Sequence, residues 1–299
     1  MNGSLHSRTV IERSQQGVAL VSVLWVVALL TLVGASLTSA VRTEIALAGQ
    51  RVTELQGRAA AEGAIYLAVQ RLLFPNLDTV WPTDGSPFVQ TVGETQVRVQ
   101  VFDEAGRVDL NMAGPELLGG LFRAVGVADE QADAIVDAIM DWRDVDSLRR
   151  LNGAEDGDYA AAGLDYGAKD ADFESVDELR MVLGMTPEIF AAVRDAVTVH
   201  HRHAWVNPAV ASRPVLLAIP GIDASAVDAY LEARGAGARQ VPAPIGAQSS
   251  LVQVRGTTYT IRARGVENGR ELAGLEVTIR INRGGQKRPF EVLQWDRIP

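Results

Sequence analysis

The sequence predicts an α+β fold made of a long N-terminal helix, an antiparallel sheet and a large helical segment inserted into that sheet. Three observations predict it. An uncharged run near the N-terminus passes directly into an amphipathic pattern, strand alternation is confined to residues 94–102 and 257–294, and helical periodicity fills most of the space between. At 299 residues the chain suits one large domain or two medium ones, with a core that needs no disulfide or metal staples. It contains no cysteine, which excludes disulfide frameworks, thiol nucleophiles and Cys-ligated zinc but leaves the compartment open.

The helix comes first. From Val18 to Val41 there are 24 consecutive residues without a charge. At a rise of about 1.5 Å per residue they cover roughly 36 Å, enough for a hydrocarbon core of about 30 Å. A cleaved secretory signal has a shorter apolar core, with its small-residue site on the far side. Here Gly17 precedes the run, behind the polar leader MNGSLHSRTVIERSQQG. Arg8 and Arg13, partly offset by Glu12, favour keeping this leader in the cytoplasm while the rest is exported. Beyond Arg42, a 3-4 spacing of Ile45, Ala48, Val52, Leu55, Ala59, Tyr66, Val69 and Leu73 continues until Phe74-Pro75 ends it. Span and stem therefore read as one helix over residues 18–74, about 85 Å long. It is either a signal anchor with a helical stalk or a helix built to pack against copies or relatives of itself.

The sheet comes next. Residues 75–93 are rich in Pro, Thr, Asp and Gly and read as a loop, whereas Glu94–Phe102 alternates with Val97, Val99 and Val101 on one face. After a turn at 103–106, Arg107–Leu110 offers a short second strand. Thr257–Arg264, Leu272–Ile281 and Pro289–Gln294 are further strands, separated by turns at Glu267-Asn268-Gly269 and Arg283-Gly284-Gly285. Asn-Gly is a strong hairpin signal. One sheet holding all these strands makes residues 111–245 an insertion into a domain formed by 75–110 and 246–299.

The insertion carries a weak repeat of helix, Gly-centred turn and capped helix. The turns are Val125-Gly126-Val127, Leu183-Gly184-Met185 and Pro220-Gly221-Ile222, with Asp129, Thr186 and Asp223 as N-caps and Pro187 at a first helical position. Such helix-hairpin-helix-like units often bind DNA backbones. Here each turn lacks the second glycine of a phosphate-contacting loop, and Asp129, Glu130 and Glu188 set carboxylates at helix starts. Charge points the same way. Residues 1–102 carry 7 basic and 7 acidic groups, 103–178 carry 6 and 20, and the remainder 15 and 10, so a formal total of −9 conceals a middle segment at −14. That field repels phosphates and attracts cations or basic partners.

Within the acidic segment, Asp141, Asp144, Asp146, Glu155, Asp156 and Asp158 fall inside 18 residues, partly on a Gly-containing loop. Hard oxygen ligands on irregular backbone suit Ca2+, although the spacing is not that of an EF-hand. By itself the pattern fits a calcium site and a solvated acidic loop equally well. His200, His201 and His203 do not converge as ligands at the end of a predicted helix and read as a solvated terminus. No Ser/His/Asp set or phosphate loop can be placed, so a membrane-anchored periplasmic enzyme is a minor alternative, beside a DNA-binding minor pilin of a DNA-uptake system.

A polar leader ending in Gly, the uncharged run after it and the amphipathic extension resemble type IV pilin-like proteins. The resemblance implies prepilin peptidase cleavage between Gly17 and Val18 on the cytoplasmic side, making 1–17 a removed leader. Most members carry Glu at the fifth mature position, and this chain has Ser22. In the family that Glu neutralises the N-terminal amine of a neighbouring subunit, so a subunit without it suits the leading end of a filament.

The segments LNMAGPELL, DAIMDWRDVDS and RLNGAEDGDY, behind RSQQGVALVSVLWVVALLTL, closely resemble the type II secretion protein K family. This resemblance implies a non-enzymatic minor pseudopilin with a pilin-like sheet and a large inserted helical domain. It implies a place at the tip of the periplasmic pseudopilus with minor pseudopilins I and J, helping to start assembly for protein export, and no nucleic-acid partner. It also implies a single pass through the inner membrane, an N-terminus cytoplasmic before processing, a periplasmic bulk, and calcium held among the six carboxylates.

Overall fold

A computed structural model describes residues 16–74, 81–236, 256–282 and 288–298. Residues 1–15 of the leader, the expected boundary at 245/246 and the Arg283-Gly284-Gly285 turn lie outside the described residues. The chain divides into two compact units, residues 1–56 and 57–299. Helix α1, Gln16–Leu73, contributes to both as 58 continuous helical residues. In the first unit, Ala19–Leu37 has a mean hydropathy of 2.4 and no buried residue, a segment long and apolar enough to cross a membrane.

In the second unit the end of α1 packs on a sheet through Ala60, Ala61, Ala64, Ile65, Ala68, Val69 and Leu72. Where α1 packs, from residue 57 onward, the buried stripe differs from the one expected from the sequence, and before it the helix is exposed on nearly every side. Ile45, Val52, Leu55, Ala59 and Tyr66 are exposed, and Val69 alone of the named residues is fully committed to the core. Close approach explains the shift. A Cβ on Gly265 would stand 2.7 Å from the Gly57 Cα, so the helix meets the sheet through glycine and alanine rather than through the bulkiest side chains.

The sheet has five antiparallel strands in the order β1 (Phe88–Val92), β2 (Thr95–Asp103), β5 (Thr258–Glu267), β6 (Arg270–Ile281) and β7 (Phe290–Ile298). Strand β1 corrects the reading of 75–93 as loop throughout. Pro82, Gly85 and Pro87 dominate that composition, yet Phe88 packs on Trp81 at 4.6 Å between ring centroids and FVQTV pairs with β2. The β5–β6 hairpin turns at Asn268 and Gly269, both left-handed at φ 50° and 78°, as an Asn-Gly turn requires. Val97, Val99 and Val101 face the α1 side, as their alternation predicts.

Strands β2 and β5 are neighbours, and the helical body leaves the sheet after one and returns before the other. The short strand expected at 107–110 is β3, Val108–Asp109. It pairs in parallel with β4, Val197–Thr198, outside the main sheet. Val108 and Leu110 thus belong to the helical core, where they join Leu118, Leu121, Phe122, Ile135, Ile139, Trp142, Tyr159, Phe190 and Leu216.

The helices of this body are α2 (Pro115–Ala124), α3 (Asp129–Arg143), α4 (Asp156–Ala161), α5 (Pro187–Val193), α6 (Arg213–Leu217) and α7 (Ala224–Gly235), with a 3-10 helix at Val176–Met181. The three expected turns are present, each with its glycine left-handed: Gly126 at φ 93°, Gly184 at 86° and Gly221 at 78°. Thr186 and Asp223 cap α5 and α7 as expected, and Pro187 is the first residue of its helix. Asp129 does not cap α3. The cap position is Ala128, and Asp129 pairs instead with Arg123 at 2.7 Å across the turn.

Candidate functional site

The acidic segment wraps around the C-terminus of α3 and the start of α4. Behind it, Trp142, Tyr159, Tyr166 and Phe173 pack as an aromatic floor, with ring centroids 5.7–6.4 Å apart. These rings fix α3, α4 and the 162–173 segment against one another, and the carboxylates stand at the margin of that floor.

Asp141 is fully buried on α3. Its Oδ2 accepts from the Arg150 amide at 3.1 Å, and Oδ1 lies 3.4 Å from Arg150 Nε. Any side chain at residue 153 would collide with Asp141 Oδ2, which explains why the turn there carries glycine. Burial raises the Asp141 carboxyl above its usual range, the Arg150 contacts offset this only in part, and Asp144 adds repulsion. Asp144 follows the end of α3 and is also raised, first by burial and then by Asp146. Its Oδ1 is buried without a hydrogen-bond partner.

Glu155 is the most perturbed carboxylate of the group. It stands at the N-cap of α4, its Oε1 is buried without a hydrogen-bond partner, and its pKa rises from 4.5 to about 7. Burial is the first cause, and the charges of Asp141, Asp170, Asp144 and Asp156 add to it. Asp170 was not singled out by the sequence pattern. It lies in the stretch Asp165–Asp172, beyond the 18-residue cluster, and has a left-handed backbone at φ 55°. An Asp-x-Asp just after Gly167 was the available signal.

The six expected residues therefore separate. Asp141, Asp144 and Glu155 come together with Asp170, and Asp156 borders them at the start of α4. Asp146 is exposed and accepts from the Leu148 amide at 2.9 Å. Asp158 accepts from the Glu155 amide at 3.0 Å and pairs with Arg149 at 3.1 Å, completing helix and loop structure. Among the described residues, no three His, Asp or Glu side chains are arranged as a ready-made metal cage. The donor set nevertheless fits a hard cation. Two buried carboxylate oxygens without partners, in a group whose members raise one another's pKa, are what a bound cation would neutralise.

The histidines differ from expectation in place and environment. They follow β4 rather than a helix. His201 Nε2 lies 3.0 Å from the Trp205 carbonyl oxygen, its ring packs edge-on against Trp205 at 4.6 Å, and burial lowers its pKa to about 4. His203 stacks on Trp205, and His200 meets Gln294 of β7 at 3.3 Å. They serve packing. At the N-terminus, Gly17 and Val18 fall in the first turn of α1, and Ser22 is exposed on the helix within the apolar span.

An apolar helix start, its far end laid on an antiparallel sheet, and a helical body interposed between adjacent strands define a pilin-like subunit with an elaborated head. Residues 101–202 match the family model for type II secretion system protein K. The chain is 30% identical over 251 residues to the type II secretion system protein K of Pseudomonas aeruginosa, covering 75% of this chain and 74% of that one. It is 25% identical over 197 residues to the protein K of Klebsiella pneumoniae, covering 59% and 60% respectively. Its fold is similar to a chain in the crystal structure of the GspK-GspI-GspJ complex of enterotoxigenic Escherichia coli. The TM-score is 0.55, over 80% of this chain and 93% of that one, at 16% identity. The chain belongs to the type II secretion system protein K family, and it is a minor pseudopilin, a structural component of the protein-transport machinery.

Proposed function

We propose that this minor pseudopilin caps the tip of the periplasmic pseudopilus and helps initiate its assembly. The observation that carries the proposal is Ser22 at the position where most pilin-like subunits place Glu, within a span that contains no charge at all. Without that carboxylate the subunit has no partner for the amine of a subunit ahead of it. The helical body between β2 and β5 adds bulk where a further subunit would have to stack. Minor pseudopilins I and J are its companions, as GspI and GspJ accompany the structural neighbour. Prepilin peptidase cuts between Gly17 and Val18, α1 anchors the chain once in the inner membrane, and the rest lies in the periplasm. Acidic helix starts and the −14 segment oppose nucleic acid as a ligand.

Calcium belongs to the same reading. Asp141, Asp144 and Glu155 would hold it, with Asp156 and Asp170 beside them, and the bound ion would neutralise the charge that these carboxylates concentrate. In the secretion system, Ser22→Glu tests the cap: it is expected to lower exoprotein secretion and to admit the variant along the shaft. Wild-type chain found along the shaft would refute the cap. Calorimetry of the detergent-solubilised chain tests the ion. A saturable heat with Ca2+ is expected, lost in Asp144→Ala and in Glu155→Ala, and absence of that heat would refute the calcium site.

A further inference from the structure

The three most exposed large hydrophobic side chains among the described residues lie within one seven-residue loop. Val145 is 89% exposed, Leu148 78% and Leu151 89%, more than any large side chain of the membrane-spanning segment. The loop connects α3 to α4 and is held from behind. Asp141 accepts from the Arg150 amide, Asp146 from the Leu148 amide at 2.9 Å, and Asp137 from the Asn152 amide at 3.1 Å. The Gly153 amide donates to the Arg150 carbonyl oxygen at 3.2 Å. Successive amides fixed in this way hold the aliphatic side chains outward, against the hydrophobic effect, while nearby residues fill a complete core.

Both cations of the loop are half-exposed but ion-paired to carboxylates. Arg149 pairs with Asp158 at 3.1 Å, and Arg150 with Asp141 at 3.4 Å and Asp144 at 3.9 Å. The apolar tip therefore stands in the field of the −14 segment, with Asp146, Asp156 and Asp170 exposed beside it. That charge selects the occupant. An anionic lipid surface is repelled, and a second copy would set two acidic segments face to face.

We infer that the loop Val145–Leu151 is a docking element for a partner protein that offers an apolar cleft rimmed by Lys and Arg. Leu148 and Leu151 are the anchors, Val145 widens the contact, and the acidic surroundings provide register and steering. An apolar centre set within a polar, solvated rim is the general layout of a protein interface.

The test uses the full chain in cells carrying the intact secretion system, with a benzophenone side chain placed at Val145. Position Glu232, exposed on α7, serves as control. The expected result is one polypeptide adduct, mapped to an apolar peptide flanked by Lys or Arg. Its yield should fall about tenfold or more with Leu148→Ser and Leu151→Ser together, and should fall as salt is raised. The double variant should keep the wild-type melting temperature, because both side chains are already exposed. Adducts with lipid, with a second copy of the chain or with an acidic-flanked surface would overturn the proposal. So would a yield equal to the control or unaffected by the double Ser variant.

Discussion

The sheet core and the helical core lie in the same compact unit but solve different problems. At the α1–sheet junction the buried face is Ala, Val, Ile and Leu, and Gly57 against Gly265 brings backbones almost into contact. The helical core is larger and aromatic, and its margin carries carboxylates whose oxygens lack partners. Burial and the charges of Asp141, Asp170 and Asp144 raise Glu155 to about 7, so this group works against folding as pH rises. The sheet core is closed and apolar, whereas the helical core ends in partly unpaired carboxylates, and the proposed calcium and docking sites both lie at that margin.

Substitutions can break that contrast, and Phe122→Ala in the helical core should have the largest effect. The side chain is fully buried, so a loss of about 4 kcal/mol is expected in denaturant unfolding of the detergent-solubilised chain. Gly265→Val comes next. Backbone atoms of Gly57 would obstruct it and cannot rotate away, giving a loss of about 3 kcal/mol and detachment of α1 from the sheet, measurable by amide exchange over residues 60–72.

The carboxylate site should respond with the opposite sign. Glu155→Gln removes an ill-solvated charge, so without calcium the variant should melt higher than the wild type by roughly 2 °C at pH 8. In the wild type Glu155 holds its proton in the folded state up to about pH 7 but releases it near 4.5 when unfolded. Stability from this group is therefore present at low pH and lost as pH rises between about 4.5 and 7. His201 works the other way. Its pKa lowered to about 4 means stability gained as pH rises towards its ordinary value of 6.5. Comparing pH-dependent melting of the wild type and Glu155→Gln separates the two, because the variant should lose the Glu155 share of the fall, keep that of Asp141 and Asp144, and keep the His201 rise. A still smaller effect is expected from Asp146→Asn, which leaves Asp144 and Glu155 in place and should change calcium-induced stabilisation little.

Much of this organisation was legible in the chain. Alternation at Val97, Val99 and Val101 marks the sheet face, Asn268-Gly269 marks its hairpin, and Gly126, Gly184 and Gly221 mark the helical turns, because each of these signals is local. What escaped depends on distant neighbours. The true α1 stripe is made of alanines, whose value comes from a sheet formed by residues far along the chain. Strand β1 is defined by pairing with β2 and by Trp81 rather than by its own composition. Asp170 raises Glu155 through the fold rather than through sequence proximity, and His201 is half-buried against Trp205 rather than by any helical pattern. Within the six-carboxylate cluster, burial rather than sequence spacing decides which members have raised pKa values.

The cap itself is tested most directly by imaging pseudopili that contain this chain with a periplasmic epitope tag. One label at the leading end of each filament is the predicted result, with the minor pseudopilins I and J immediately behind it. Labels distributed along the shaft, or confined to the membrane end, would contradict the account.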